Sequence, residues 1–197
     1  MTVCCILAPM TAGRSNASPP EPFLESERLF YRRLTLDDLP WLIELRTADA
    51  VKRYLGGDTW QNPDALATRL KFYIECHEKL GFGCTAMGLI STGELIGSSG
   101  LQPLEETGEI EIGYNMAEKY WGQGYGTECC MAWLKYGFEE VGLERIVAIA
   151  IPENRSSWHI MEKCGMRYEK TEEHYGSDCV FYAMEKTEFE RLHPQKA

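Results

Sequence analysis

Three glycines at alternate positions, in Tyr120-Trp121-Gly122-Gln123-Gly124-Tyr125-Gly126-Thr127-Glu128, lead straight into an amphipathic segment from Cys129 to Val141. No other stretch limits the fold as strongly. Glycine lacks a Cβ, so the backbone here is free to turn tightly and to approach another molecule closely. A helix that starts at such a turn leaves its first N–H groups without intrahelical partners and aims the positive end of its dipole at the turn. Together these features make an anion site suited to phosphate or pyrophosphate. The plain alternative is a tight connection and nothing more. A Rossmann-type dinucleotide turn fits poorly, because its third glycine falls where Thr127 stands. The strand expected before the turn, Glu109 to Met116, also alternates charged and apolar residues, as an antiparallel or edge-proximal strand does.

The length of 197 residues suits a single domain with short tails. A formal net charge of −10 argues against nucleic acid or an anionic membrane as the main partner, and is compatible with an amine-bearing substrate. The eight cysteines include no C-x-x-C, and the four histidines lie scattered at 77, 159, 174 and 193, so no metal is expected. Cys129 and Cys130 are expected to point different ways, and His159 and His174 to be ordinary, partly exposed histidines. Reduced, mostly buried thiols point to a cytoplasmic protein. The run Val3 to Ala8 is too short to span a bilayer, and residues 9–22 are rich in Pro, Ser, Ala and Gly. Residues 1–23 therefore read as a weakly ordered lead-in, 24–187 as the folded domain and 188–197 as a tail.

Arg28 to Arg32 reads as a first strand. Thr35 and Asp38 form a capping box for a helix whose apolar face is Leu36, Leu39, Leu42 and Ile43. Asn62-Pro63-Asp64 starts a longer helix that ends near Gly81, and a hairpin follows over 82–90 and 94–101. After the strand over 109–116 comes the glycine-rich helix, with Thr127, Met131, Leu134, Phe138 and Val141 on its core face. Gly142 stops it. Arg145 to Ile151 is an apolar run suited to a strand covered on both faces. Asn154 caps a short helix to Lys163, and two strands close the chain. The order predicts a mixed α/β (α+β) fold with a mainly antiparallel central sheet flanked by helices and one crossover helix.

Three blocks now line up: Glu111-Ile112-Gly113-Tyr114, then Tyr120 to Glu128, then Asn154-Arg155-Ser156-Ser157 with Glu162-Lys163-Cys164-Gly165-Met166. In this order and spacing the chain resembles the GNAT superfamily of CoA-dependent N-acetyltransferases, in the subgroup that includes ribosomal-protein-alanine N-acetyltransferases. The likeness covers roughly residues 24–186. It implies acetyl-CoA as cosubstrate, with Gly122, Gln123, Gly124, Tyr125, Gly126 and Thr127 around the pyrophosphate. It also implies two splayed parallel strands at the CoA site, with Tyr114, Asn115 and Met116 beside the pantetheine arm and Asn154 and Ser157 completing it. Trp121 replaces the family's basic or amide residue at the head of the turn.

For the chemistry, the acceptor amine must lose a proton before it attacks a thioester, and the departing thiolate benefits from a proton donor. By resemblance Glu111 is the candidate base, with Glu109 two residues earlier on the same strand. Ser157 is the candidate donor to the CoA sulfur, because Met161 stands where many members carry a tyrosine. The bland alternatives are a surface carboxylate for Glu111 and a hydroxyl bonded to backbone for Ser157. No cysteine matches a catalytic position, so direct transfer is expected. The acceptor is a protein N-terminus or a small-molecule amine, with residues 51–73, including Tyr54 and Trp60, on the acceptor side. A non-catalytic acyl-CoA-binding or interaction module, and a transferase using a longer acyl-CoA, stand as alternatives. Monomer and homodimer are both compatible with the sequence.

Overall fold

The structure, a computed structural model, describes residues 21–55, 62–105 and 107–194. The lead-in up to residue 20 and Trp60 lie outside these residues. Strands β1 (Leu24–Glu25) and β2 (Leu29–Arg33) pair antiparallel. A 3-10 turn over Leu36–Asp38 then runs into α1 (Leu39–Thr47). The Asp38 carboxylate accepts the Thr35 N–H at 2.8 Å, as the capping box predicts, and also takes the Arg32 guanidinium at 2.6 and 2.8 Å. Leu36, expected on the apolar face, is 61% exposed instead, because the 3-10 turn holds it off the buried stripe that Leu42 and Leu45 occupy.

After α2 (Asp49–Lys52), α3 (Pro63–Leu80) starts where Asn62 Oδ1 accepts the Asp64 N–H at 2.9 Å, and it ends at Gly81 with φ +80°. Then follow β3 (Cys84–Leu89), β4 (Leu95–Pro103), β5 (Ile110–Met116) and α4 (Tyr125–Lys135), continued by a π turn over Tyr136–Val141. The chain closes with β6 (Arg145–Ala150), α5 (Arg155–Lys163), β7 (Arg167–His174), β8 (Ser177–Glu185) and α6 (Lys186–Leu192). Residues 188–192, read from sequence as the start of a tail, belong to α6, whose Phe189 is buried.

The eight-stranded sheet has the order β1-β2-β3-β4-β5-β6-β8-β7. Its pairs are antiparallel except β5 with β6, which run parallel and register at Glu111 opposite Val147. Side chains alternate between the two faces. Ile112, Ile146, Ala148, Tyr182 and Met184 join the large core beneath α4 and α5, while Val147, Phe181 and Ala183 form a small cluster on the other face. On that second face α1 and α3 cover Cys84 and Ala86 with Leu42, Leu70 and Tyr73.

Helix α4 buries Gly126, Cys129, Cys130, Trp133 and Leu134; of the expected core face, Leu134 and, in the π turn, Phe138 are buried, while Thr127, Met131 and Val141 are half-buried. Cys129 and Cys130 are both fully buried, because the helix is sandwiched between the sheet and α5. Small residues permit this close fit. A Cβ on Gly126 would come within 2.6 Å of Ile160 Cδ1 on α5.

His77, in the last turn of α3, is 7% exposed and sits edge-on to Phe23, with Nε2 3.3 Å from the Cys84 carbonyl. Burial, followed by the nearby Arg33 charge, pushes its pKa down to about 4. The folded state therefore binds fewer protons than the unfolded chain between about pH 6.5 and pH 4, and stability falls as pH drops through that window. The full effect is on the order of 3 kcal/mol. In urea denaturation, His77→Gln, which keeps a donor for the Cys84 carbonyl, should lose less stability than the parent between pH 7 and pH 4.5. Parallel pH profiles for the two proteins would refute this assignment.

Candidate functional site

The β5–α4 connection carries two glycines in the left-handed region, Gly122 at φ +72° and Gly124 at φ +84°. Gly124 occupies the N-cap position of α4, and no side chain caps the helix there. The first N–H groups of α4 are thus left to whatever enters the turn. Gly126 has no positive φ; its service is the close packing on Ile160. So the three glycines divide the work: two shape the turn and the third seats the helix.

A groove of about 660 Å³ opens at this turn. Tyr114, Asn115, Met116, Gly122, Gly124, Tyr125, Gly126 and Thr127 border it from one side, and Asn154 and Ser157 from α5. Gln123 does not border it: its side-chain amide donates to the Lys119 carbonyl at 2.9 Å. Trp121 Nε1 donates to the Met116 carbonyl at 2.8 Å, which ties the turn to the end of β5. Exposed Arg155 and Lys163 add positive charge along the α5 side.

The turn is fastened from outside by residues the sequence reading passed over. Glu128, in the first turn of α4, accepts Ser26 Oγ at 2.8 Å, the Arg28 N–H at 2.7 Å and Arg28 Nε at 2.7 Å. The Arg28 guanidinium also donates to the Gln123 carbonyl at 3.1 Å and lies 4.4 Å from the centre of the Tyr125 ring. Burial alone would raise the Glu128 pKa; the donors from Arg28 and Ser26 outweigh it and hold the carboxyl below its usual range.

A smaller cavity of about 140 Å³ adjoins the groove, and Tyr54, Tyr114, Asn115, Asn154 and Ser157 border both. Glu111 lines its floor. It points to the face opposite Ile112 and is only 4% exposed, so it is no surface carboxylate. Gln102 Nε2 and the Tyr175 hydroxyl both donate to Glu111 Oε1, the latter at 2.9 Å. Burial raises the Glu111 pKa above the carboxylate range, and these two donors only partly counter it. Glu109 lies away from this cavity, paired with Arg145 at 3.2 Å in a cluster that includes Glu169 and Glu185.

Ser157 and Tyr114 meet where groove and cavity join. The Tyr114 hydroxyl donates to the Ser157 carbonyl at 3.0 Å, and Ser157 Oγ donates to the Tyr114 oxygen at 3.2 Å. The Ser157 hydroxyl is thus turned to a side chain, not to backbone. Asn154 Oδ1 accepts the Ser157 N–H at 3.3 Å and caps α5. His174, expected to be partly exposed, is 5% exposed and lines the cavity. His159 stays on the surface beside Glu162. Among the described residues no cluster of His, Cys, Asp and Glu is arranged to hold a metal ion, and no helix is long and apolar enough to cross a membrane.

A family model described as an acetyltransferase (GNAT) domain matches residues 28–167. The chain belongs to the GNAT acetyltransferases. The Bacillus subtilis protein named uncharacterized N-acetyltransferase YoaA is 27% identical over 149 residues, 75% of this chain and 84% of that protein. An acetyltransferase structure from Agrobacterium tumefaciens superposes with a TM-score of 0.73 at 26% identity, over 87% of this GNAT chain and 99% of the other. Two more distant structures share the fold. Ribosomal-protein-S5-alanine acetyltransferase from Vibrio fischeri has a TM-score of 0.66 at 17% identity, over 82% and 95% of the two chains. The aminoglycoside acetyltransferase AAC(6')-Ib in complex with coenzyme A has 0.69 at 19%, over 83% and 98%.

The Arg28–Glu128 pair gives this GNAT domain a measurable handle. In a double-mutant cycle with Arg28→Met and Glu128→Gln, a coupling of about 1 kcal/mol is expected, the partial exposure of Arg28 keeping it small. Amide exchange at residues 123–126 should quicken in both single variants. Unchanged exchange would show that the pair does not fasten the turn.

Proposed function

We propose that this protein is an acetyl-CoA-dependent N-acetyltransferase that passes the acetyl group directly to a primary amine, a protein N-terminus or a small-molecule amine. One observation carries the reading. The uncapped start of α4 at Gly124 faces a groove that continues, past Tyr114 and Ser157, to a buried carboxylate. The main-chain amides of Gly122 and of Gly124 to Thr127 suit a diphosphate, and Arg155 and Lys163 add charge for further phosphate. Bound there, acetyl-CoA supplies an acyl thioester at the junction of groove and cavity.

The chain's own residues then divide the proton work. Glu111, its pKa raised by burial, is a stronger base than a surface carboxylate and takes the proton that the attacking amine must lose. Ser157 Oγ is a hydroxyl rotor whose present acceptor is the Tyr114 oxygen, and it turns to donate to a departing thiolate. Tyr114 stays protonated, because burial raises its pKa well above the ordinary value, and it holds the α5 backbone at Ser157. Amine and leaving group are thereby served from opposite sides of the sheet.

Thiol release from acetyl-CoA, screened against N-terminal peptides and small amines, tests the activity. Glu111→Gln should lower kcat/KM by about a hundredfold near neutral pH and erase the acid limb of the pH profile. An unaltered profile would remove Glu111 as base. Propionyl- and succinyl-CoA in the same assay test the choice of acyl chain. Acetyl-CoA binding without turnover on any amine would leave only a binding module.

Gly124→Val should weaken acetyl-CoA binding at least tenfold in calorimetry, since a β-branched residue resists a φ of +84° and displaces the turn. Gly124→Asn, which tolerates that region, should bind more tightly than the valine variant. Wild-type affinity in a folded Gly124→Val protein would sink the cradle.

A further inference from the structure

Glu111 is held from a part of the chain that contributes nothing else to the reaction as proposed. Its partner Tyr175 sits in the β7–β8 turn at φ +52°, followed by Gly176 at φ +73°. A side-chain-bearing residue in the left-handed region needs support from its surroundings. Glu105, in the loop between β4 and β5, also has a positive φ, +47°. The two strained points are bolted together: Glu105 Oε1 accepts the Tyr175 N–H at 3.2 Å, and Glu105 Oε2 lies 2.8 Å from His174 Nδ1. On the other side of the ring, His174 Nε2 lies 2.8 Å from Glu172 Oε1.

A buried imidazole with a carboxylate oxygen at hydrogen-bond distance from each nitrogen needs a proton on both, and is therefore an imidazolium. The groups around it are few. Lys170 pairs with the second oxygen of Glu172 at 2.8 Å, the Phe181 ring of β8 lies 5.9 Å away, and Cys179 Sγ donates to the His174 carbonyl. From α3, Arg69 lies 5.8 Å from the centre of the Tyr175 ring. The two neighbouring carboxylates outweigh the burial that would otherwise discharge the ring, so its pKa is raised.

We propose that His174 is a positioning residue: clamped as a cation between Glu105 and Glu172, it fixes the β7–β8 turn so that the Tyr175 hydroxyl holds the Glu111 carboxylate in the acceptor cavity. The proposal rests on Glu111 acting as the base. The imidazolium also bears on Glu111 directly, since a nearby positive charge favours the ionised carboxylate. Without it, Glu172 would keep its pair with Lys170, but the Glu105 carboxylate would lose its cationic partner beside the Tyr175 backbone. Both consequences of losing His174, a loosened β7–β8 turn and the loss of a positive charge near Glu111, push the acid limb of the reaction to higher pH.

The test uses the full chain, with His174→Gln, Tyr175→Phe and the double variant. Imidazole NMR of the unmodified protein should show His174 doubly protonated at pH 7.5; a neutral ring there overturns the proposal whatever the activity. In thiol-release assays, acetyl-CoA affinity should stay within about twofold of the parent, because neither residue borders the turn. The kcat/KM for the amine should fall about tenfold near neutral pH in each single variant, with the acid limb moved up by about half a pH unit or more. The double variant should be no worse than the poorer single one, as expected for residues acting in series. An unmoved acid limb in His174→Gln, or additive losses in the double variant, overturns the proposal. Wild-type turnover in Glu111→Gln would instead remove Glu111 as base.

Discussion

The site depends on one break in the sheet. β5 and β6 run parallel amid antiparallel neighbours and register at Glu111 opposite Val147. A parallel pair requires a crossover, and α4 is that crossover. It brings the glycine turn to the carboxyl end of β5, where open α/β sheets take their ligands. Trp121, bonded to the last carbonyl of β5, then fixes the distance between strand and turn. The proposed anion cradle and the buried carboxylate thus lie on a single strand–turn–helix unit.

Charge poses an apparent conflict. A chain of net charge −10 is proposed to hold a polyanionic cosubstrate, and Glu128 stands in the very first turn of the helix that meets it. The local arrangement resolves this. Glu128 is turned away to three donors from Ser26 and Arg28, leaving the amides, the helix dipole and the exposed Arg155 and Lys163 to set the field in the groove. Similar pairing recurs elsewhere, with Arg145 taking Glu109, Glu169 and Glu185. Net charge therefore says little about what this surface attracts at one point.

Local signals carried much of the fold. The caps Asn62 and Asn154 and the stops at Gly81 and Gly142 were all legible, because each depends on residues within a turn of one another. The glycine turn was legible for the same reason. What escaped were contacts made across the fold: Ser26 and Arg28 reach Glu128 about a hundred positions away, and Tyr175 reaches Glu111 across 64. No pattern within a window of sequence announces such partners. The buried stripe of α4 was legible at Leu134 and Phe138 but missed at Gly126, Cys129 and Cys130, since these small residues face a helix and a sheet at once and do not look like a hydrophobic face.

His174 shows how far burial alters a residue's meaning. As one of four scattered histidines it invites no role, and its sequence neighbours Glu172 and Glu173 suggest a solvated strand. Most of β7 is indeed exposed. Only the strand's last residue turns inward, and there the polar cost of burial is met by Glu172 from its own strand and Glu105 from a distant loop. A buried charge retained with two partners is weak evidence for stability alone, because apolar residues often fill such space at less cost. The arrangement makes more sense as orientation: the same turn that buries His174 delivers the Tyr175 hydroxyl to Glu111.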